Sequence, residues 1–209
     1  GAKFTVTSGA RVRVLRNGSP TYGQGVGLDY GFLTVEGHGT EVEILGCFGV
    51  HDCVHERSRI GSRSGGGIHI RRGGRVAIKS GAEVVVHRNA VYSGGGGIDI
   101  NNAVLEVDGV GTTLKIIGNG GTSRYPHTNS FGGGIYLAYD SQVYVKGGAL
   151  LEVTGNSACA GGGASLGHYS SKKCSLHVSG VGTRAVFQNN TSGKCNFLRE
   201  AATLSENSV

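Results

Sequence analysis

Proline is nearly missing from this 209-residue chain, which has two. Charged residues make up only 16% of it. No apolar run approaches the roughly eighteen residues that would cross a bilayer as a helix. So little proline, with 38% apolar residues, argues against a disordered linker. Glycine is plentiful at 40 residues, but it follows no G-X-Y period, so collagen is excluded. No signal peptide is visible, and the first residue is Gly1 rather than Met. The sequence therefore reads as a processed or excised portion of something longer. The net charge of +6 is a mild basic bias that suits polyanionic surfaces without naming one.

What the chain does have is repetition. Gly94–Ile100 reads G-G-G-G-I-D-I. Gly65–Ile70 reads G-G-G-I-H-I, Gly132–Leu137 G-G-G-I-Y-L and Gly161–Leu166 G-G-G-A-S-L. Gly25–Tyr30, G-V-G-L-D-Y, is a degenerate first copy. A period near thirty residues marks a solenoid or array.

Apolar residues two apart share one face of a strand. One set of pairs ends three residues before an Asn: Val12/Val14, Val84/Val86, Leu114/Ile116, Leu151/Val153 and Ala185/Phe187. Val42/Ile44 fits the same place, with Cys47 where Asn is expected. A second set lies upstream, from Phe4/Val6 and Leu33/Val35 to Leu176/Val178. The glycine motif supplies a third, read as Leu28/Tyr30, Ile68/Ile70, Ile98/Ile100, Ile135/Leu137 and Ala164/Leu166. The linkers between the first two sets alternate in length. The longer ones share a sequence: E-G-H-G-T at Glu36–Thr40, D-G-V-G-T at Asp108–Thr112 and S-G-V-G-T at Ser179–Thr183. The chain thus alternates two coil types, with a super-repeat near seventy residues.

Three short strands per repeat cannot close a core locally, but stacked rung on rung they can. The expectation is an all-β, right-handed parallel β-helix of about six three-stranded rungs, one domain over 1–209. Residues 193–209 would form an irregular last rung or a cap. Asn17, Asn89, Asn119, Asn156 and Asn190 would stack as an internal ladder; ordinary turn propensity is the alternative. The two longest turns, Phe48–Ser64 and Gly120–Phe131, leave the same corner. Loops on one side of a solenoid often mark its binding side.

The quoted motifs resemble the polymorphic outer membrane protein repeat, a G-G-A-I tetrapeptide paired with F-x-x-N. Phe187–Asn190 matches F-x-x-N outright. Val86–Asn89, Ile116–Asn119 and Val153–Asn156 match it with an aliphatic residue for Phe, and a third Gly replaces the tetrapeptide's Ala. The likeness runs from Val14 to Asn190. It implies a secreted, pectin-lyase-like β-helix of the autotransporter-passenger type, used for adhesion or display.

Several groups of residues could carry chemistry. Asp29, His69 and Asp99 read as outward neighbours on consecutive rungs, near enough for an acid–base pair like those of β-helical polysaccharide lyases and hydrolases. A solvent-facing strand that accepts any polar residue is the preferred reading, because no second carboxylate cluster backs the column. Cys47, His51, Asp52, Cys53, His55 and Glu56 offer ligand types for zinc, but the spacing fits no usual zinc site. A Cys47–Cys53 disulfide is the preferred reading, with Cys159–Cys195 as a second bridge and Cys174 left over. Two bridges would place the protein outside the cytoplasm. Arg57, Arg59, Arg63, Arg71, Arg72 and Arg75 form either a site for anionic polysaccharide or glycan, or a solvated basic edge. No aromatic residues interleave with them, so nucleic acid is not expected. Among the sequons at Asn17, Asn189 and Asn190, Asn189 is the best acceptor, because the other two are ladder positions.

Together these features predict an extracellular structural or adhesive β-helix, not an enzyme, with no cofactor and no metal. A carbohydrate-active or polysaccharide-binding β-helix is the alternative. The first rung, Phe4/Val6 with Val12/Val14, repeats the interior pattern of later rungs. It predicts contact with neighbouring parts of a longer chain, or head-to-tail self-association with Cys174 bridging subunits.

Overall fold

The computed structural model describes residues 1–15, 25–46, 66–91, 94–121, 131–167, 173–193 and 202–203. All regular structure among them is β. The chain is a parallel β-helix solenoid. Its first face stacks Lys3–Val6, Phe32–Glu36, Arg75–Lys79, Val104–Asp108, Gln142–Lys146 and Ser175–Ser179 in parallel register. The second stacks Arg11–Leu15, Glu41–Leu45, Glu83–His87, Thr113–Ile117, Leu150–Thr154 and Arg184–Gln188. The third stacks Val26–Asp29, Ile68–Arg71, Ile98–Asn101, Ile135–Ala138 and Ala164–Leu166.

Sequence alternation sets the faces. Leu33/Val35, Val42/Ile44, Val76/Ile78, Val84/Val86, Leu105/Val107 and Leu114/Ile116 all point inward and are buried. Each fully buried Val, Leu or Ile contributes roughly 1.5–3 kcal/mol, so the stacked interior is the main stabilising term. Val86, Ile100, Ile116, Val145 and Val153 are buried as their spacing predicts. Arg13 is exposed, while Glu43, Lys115 and Glu152 are half-buried against their neighbours on adjacent rungs.

Three features depart from the expected pattern. A fourth, narrow sheet joins Ala90–Val91, Gly120–Gly121, Ser157–Ala158 and Thr191–Ser192, just past the ladder Asn of each rung. Ala202–Thr203 takes the sixth place on the third face but runs antiparallel to Ala164–Leu166. The first glycine copy sits two residues out of the register read from its leading Gly. Val26 pairs with Ile68 and Leu28 with Ile70, which leaves Tyr30 exposed instead of inward. The cause is packing. A Cβ on Gly25 would lie 2.4 Å from Ile44 Cγ2 and 2.5 Å from the carbonyl oxygen of Gly67. A Cβ on Gly67 would lie 2.3 Å from Val86 Cγ1 and 2.7 Å from the carbonyl of Gly97. The equivalent glycines are therefore 25, 67, 97, 134 and 163, the last of each run rather than the first.

Candidate functional site

The register change decides what the outward column of the third face contains. Gly27, not Asp29, lies beside His69, which in turn pairs with Asp99 and then Tyr136 and Ser165. Asp29 lies beside Arg71. Its Oδ2 accepts hydrogen bonds from Arg71 at 2.9 Å and Arg72 at 3.1 Å. The expected Asp29/His69/Asp99 alignment is therefore corrected to a His69–Asp99 pair.

This column was also expected to face solvent, yet His69, Asp99, Tyr136 and Ser165 are all buried. Part of the cover is visible, since Phe131 packs on Tyr136 with ring centroids 6.0 Å apart, beside Ala138 and Ala160. His69 Nδ1 lies 3.6 Å from Asp99 Oδ1, too far for a hydrogen bond. The amide of Gly95 approaches Asp99 Oδ2 at 3.5 Å. Burial, reinforced by the nearby Arg71 charge, pushes the His69 imidazole down to about 4. At neutral pH it is an uncharged ring beside a buried carboxyl group. That pair could pass a proton, but only to a molecule that reached it beneath its cover.

The ladder is formed by hydrogen bonds among the described asparagines. Asn89 donates to Asn119 Oδ1 through both its backbone N (3.0 Å) and Nδ2 (2.9 Å). Asn119 does the same to Asn156 at 2.9 and 3.0 Å, and Asn156 to Asn190 at 3.0 Å through both nitrogens. The second Nδ2 hydrogen of Asn119 and of Asn156, and an Nδ2 hydrogen of Asn190, go to a backbone carbonyl of the rung before: Val86, Ile116 and Val153. A Cβ on Gly97 would come within 3.1 Å of Asn119 Nδ2, so the glycine column and the ladder require each other. Asn17 lies outside the described residues.

The alternating linkers also have a physical basis. Thr40 Oγ1 donates to the carbonyl of Glu36 at 2.8 Å and accepts from the amide of Gly9, one rung earlier, at 3.0 Å. Thr112 repeats this with Asp108 and Gly81, and Thr183 with Ser179 and Gly148. The Thr of each wide turn thus clamps the narrow turn before it. Rungs are joined in pairs, which is the seventy-residue super-repeat. The shared Gly-x-Gly-Thr was the sequence signal for this clamp.

The basic cluster divides in two. Arg57, Arg59 and Arg63 fall outside the described residues. Arg71 and Arg72 are committed to Asp29, and Arg75 is paired with Glu106. Glu106 also binds Lys146 at 2.7 Å, and Lys146 and Arg75 hold its carboxyl below the usual range. On the second face, Arg11, Arg13, Glu41, Glu43, Glu83 and His87 line an open depression of about 430 Å³. Its charges are paired as well: Arg11–Glu41 at 2.7 Å, Arg13–Glu43 at 2.6 Å and Lys115–Glu83 at 2.6 Å. Such exposed pairs contribute little each and leave little charge for a ligand.

Cys159 is disulfide-bonded, and Cys174 is free. Cys47, Cys53 and Cys195 fall outside the described residues, as does the expected zinc-type loop. Among the described residues no group of His, Cys, Asp and Glu could hold a metal ion. No family model, no curated protein and no solved structure matches the chain.

Proposed function

We propose that the chain is an extracellular structural or adhesive β-helix, a rigid stack that presents side chains and loops rather than a catalyst. The observation that carries this reading is the state of its acid–base column. His69 and Asp99 are covered, and Asp29 is displaced by two residues and held by two arginines. The Asn ladder and Thr clamps invest polar groups in stiffness along the axis. The disulfide at Cys159 supports an oxidising compartment. The likeness to the surface-displayed repeat points the same way. Asn189 is exposed, whereas Asn190 is held in the ladder, so Asn189 is the accessible sequon for a glycan.

The rival reading, a carbohydrate-active β-helix, draws on the buried His69–Asp99 pair. Incubation with pectin, alginate and glycosaminoglycans separates the two. The expected result is intact polymer. Cleavage products that disappear in Asp99→Asn would overturn the structural reading.

A further inference from the structure

One corner of the stack holds large side chains in a backbone conformation that disfavours them. Tyr30, Arg72, Asn102 and Tyr139 each follow a third-face strand, on four consecutive rungs, with φ of 55°, 53°, 50° and 53°. Glycine enters this left-handed region freely, whereas a Cβ meets the neighbouring carbonyl oxygen. Outside this corner the described left-handed positions hold Gly, Ser or Asn, with Arg88 the exception. Two tyrosines and an arginine in one strained column point to a role for their side chains. The column is also fixed and open. Arg72 N donates to the carbonyl of Asn101 at 3.1 Å and Asn102 N to that of Ala138 at 3.1 Å, so each rung holds the corner beside it. Tyr30 and Tyr139 are 59% and 41% exposed, the Arg72 side chain is 57% exposed and Asn102 is exposed. Phe32, 43% exposed between Lys3 and Arg75, extends the patch onto the first face. Of the exposed Phe and Tyr side chains among the described residues, Phe4 alone lies elsewhere.

We propose that this corner binds a linear, uncharged polysaccharide laid along the solenoid axis, with sugar rings seated on Tyr30 and Tyr139. This gives the adhesive reading above its ligand class and rests on that reading. The spacing suits a chain: with rungs ~4.8 Å apart, the two tyrosines stand roughly 14 Å from each other, with Arg72 and Asn102 between them. Each tyrosine offers an apolar ring to the C–H face of a sugar and a hydroxyl to its edge. The charge is already balanced. Asp29 Oδ2 accepts from both Arg71 and Arg72, so a polyanion would have to displace a carboxylate that is held twice. A guanidinium has five N–H donors, and the Arg72–Asp29 bond uses one of them. Beside it stand a carboxylate that accepts and the Asn102 amide, which does both. That mixture matches hydroxyl groups, which donate and accept at once. A single row of side chains is too narrow for the ~800 Å² per partner of a stable protein interface. An extended sugar chain needs only a line.

Electrophoresis through gels carrying dextran, galactomannan or hydroxyethyl cellulose tests this, with heparin as the anionic comparison. At least one neutral polymer should retard the unmodified chain, to the same extent in low and high salt. Tyr139→Gly and Arg72→Gly should each weaken that retardation at least tenfold. Both put glycine where the backbone favours it, so both should melt within a few degrees of the unmodified chain, which separates lost binding from lost fold. Val110→Ser, at an exposed turn away from this corner, should change nothing. Retardation by heparin alone, or by no polymer, would overturn the proposal. So would retardation that survives both glycine variants. A large fall in melting temperature in both would show that the column is held for stability, and would overturn it too. None of these results touches the structural reading, whereas polysaccharide cleavage lost in Asp99→Asn overturns that reading and leaves retardation at the corner unaffected.

Discussion

Thr112 Oγ1 accepts the amide hydrogen of Gly81, 2.9 Å away and one rung earlier, while donating to the carbonyl of Asp108 at 2.8 Å. Thr112 is buried, and Gly81 and Asp108 are half-buried in the turns it joins. Thr112→Val keeps the shape and removes both bonds. It should destabilise the fold by about 2–4 kcal/mol, since each buried unsatisfied group costs roughly 1–3 kcal/mol. Thr112→Ser keeps the hydroxyl and should cost about 1 kcal/mol or less for the lost methyl. Denaturant unfolding of the two variants checks this; equal losses would mean that packing, not the clamp, is what Thr112 supplies.

The ladder should be strongest in its middle. Asn119→Ala strands the backbone N of Asn89 and one of its Nδ2 hydrogens and takes the side-chain donor from the carbonyl of Val86, while the backbone N of residue 119 still donates to Asn156 Oδ1. A loss of at least about 3 kcal/mol is expected. Asn190→Ala strands similar groups, but the site is only half-buried, so water can restore part of the loss. Unfolding curves should therefore rank Asn119→Ala well below Asn190→Ala. The reverse order would count against the ladder as a load carried along the axis.

The strands, their inward residues and the ladder were legible in the sequence because period-two alternation and a fixed offset to Asn leave little choice of register. The first glycine copy was misread for a definite reason. Aligning on the leading Gly ignores that the last Gly of each run, the one beside the inward strand residues, is the position that Gly25 shares with the later copies. The burial of His69 and Asp99 was not legible either. Alternation reports which side faces the core, not how deeply the other side is buried. The Thr clamp was visible as a shared Gly-x-Gly-Thr, but its partner glycine on another rung is a contact no local pattern encodes. The reversed strand Ala202–Thr203 carries no periodicity at all.

Two glycines offer a contrast. A Cβ on Gly97 would sit 2.5 Å from Ile116 Cγ2 and 2.7 Å from the carbonyl of Gly134, with no room to shift in a closed stack. Gly27 lies in the same face and has nothing within 4 Å of its Cβ position. Gly97→Ala should cost about 3 kcal/mol or more through overpacking. Gly27→Ala should be neutral, or stabilising by roughly 0.5–1 kcal/mol through the unfolded chain. Thermal melts suffice, and a harmless Gly97→Ala would remove the basis for the corrected register.

His69 makes the stability of the fold depend on pH. Its imidazole titrates at about 4 in the folded chain against an ordinary 6.5, because burial disfavours the charged form. Above pH 6.5 the ring is neutral folded or unfolded, and its full contribution is present. Between 6.5 and 4 the unfolded chain binds one more proton than the folded one, so stability falls as the pH falls. Below 4 both states are protonated and this group adds nothing further. The whole interval is worth about 3 kcal/mol, and the part between pH 6.5 and 5 about 2 kcal/mol. Glu106 and Glu43 act in a lower window. Their carboxyls are held below the ordinary 4.5, chiefly by Lys146 and Arg13, so their stabilisation is lost only as the pH falls through those depressed values. Unfolding free energies measured from pH 7.5 to 5 should therefore drop in the unmodified chain and flatten in His69→Gln. A drop of equal size in both would assign the slope to other groups. Stability that rises in acid would mean that Asp99, 3.6 Å away, holds the protonated ring in the folded state.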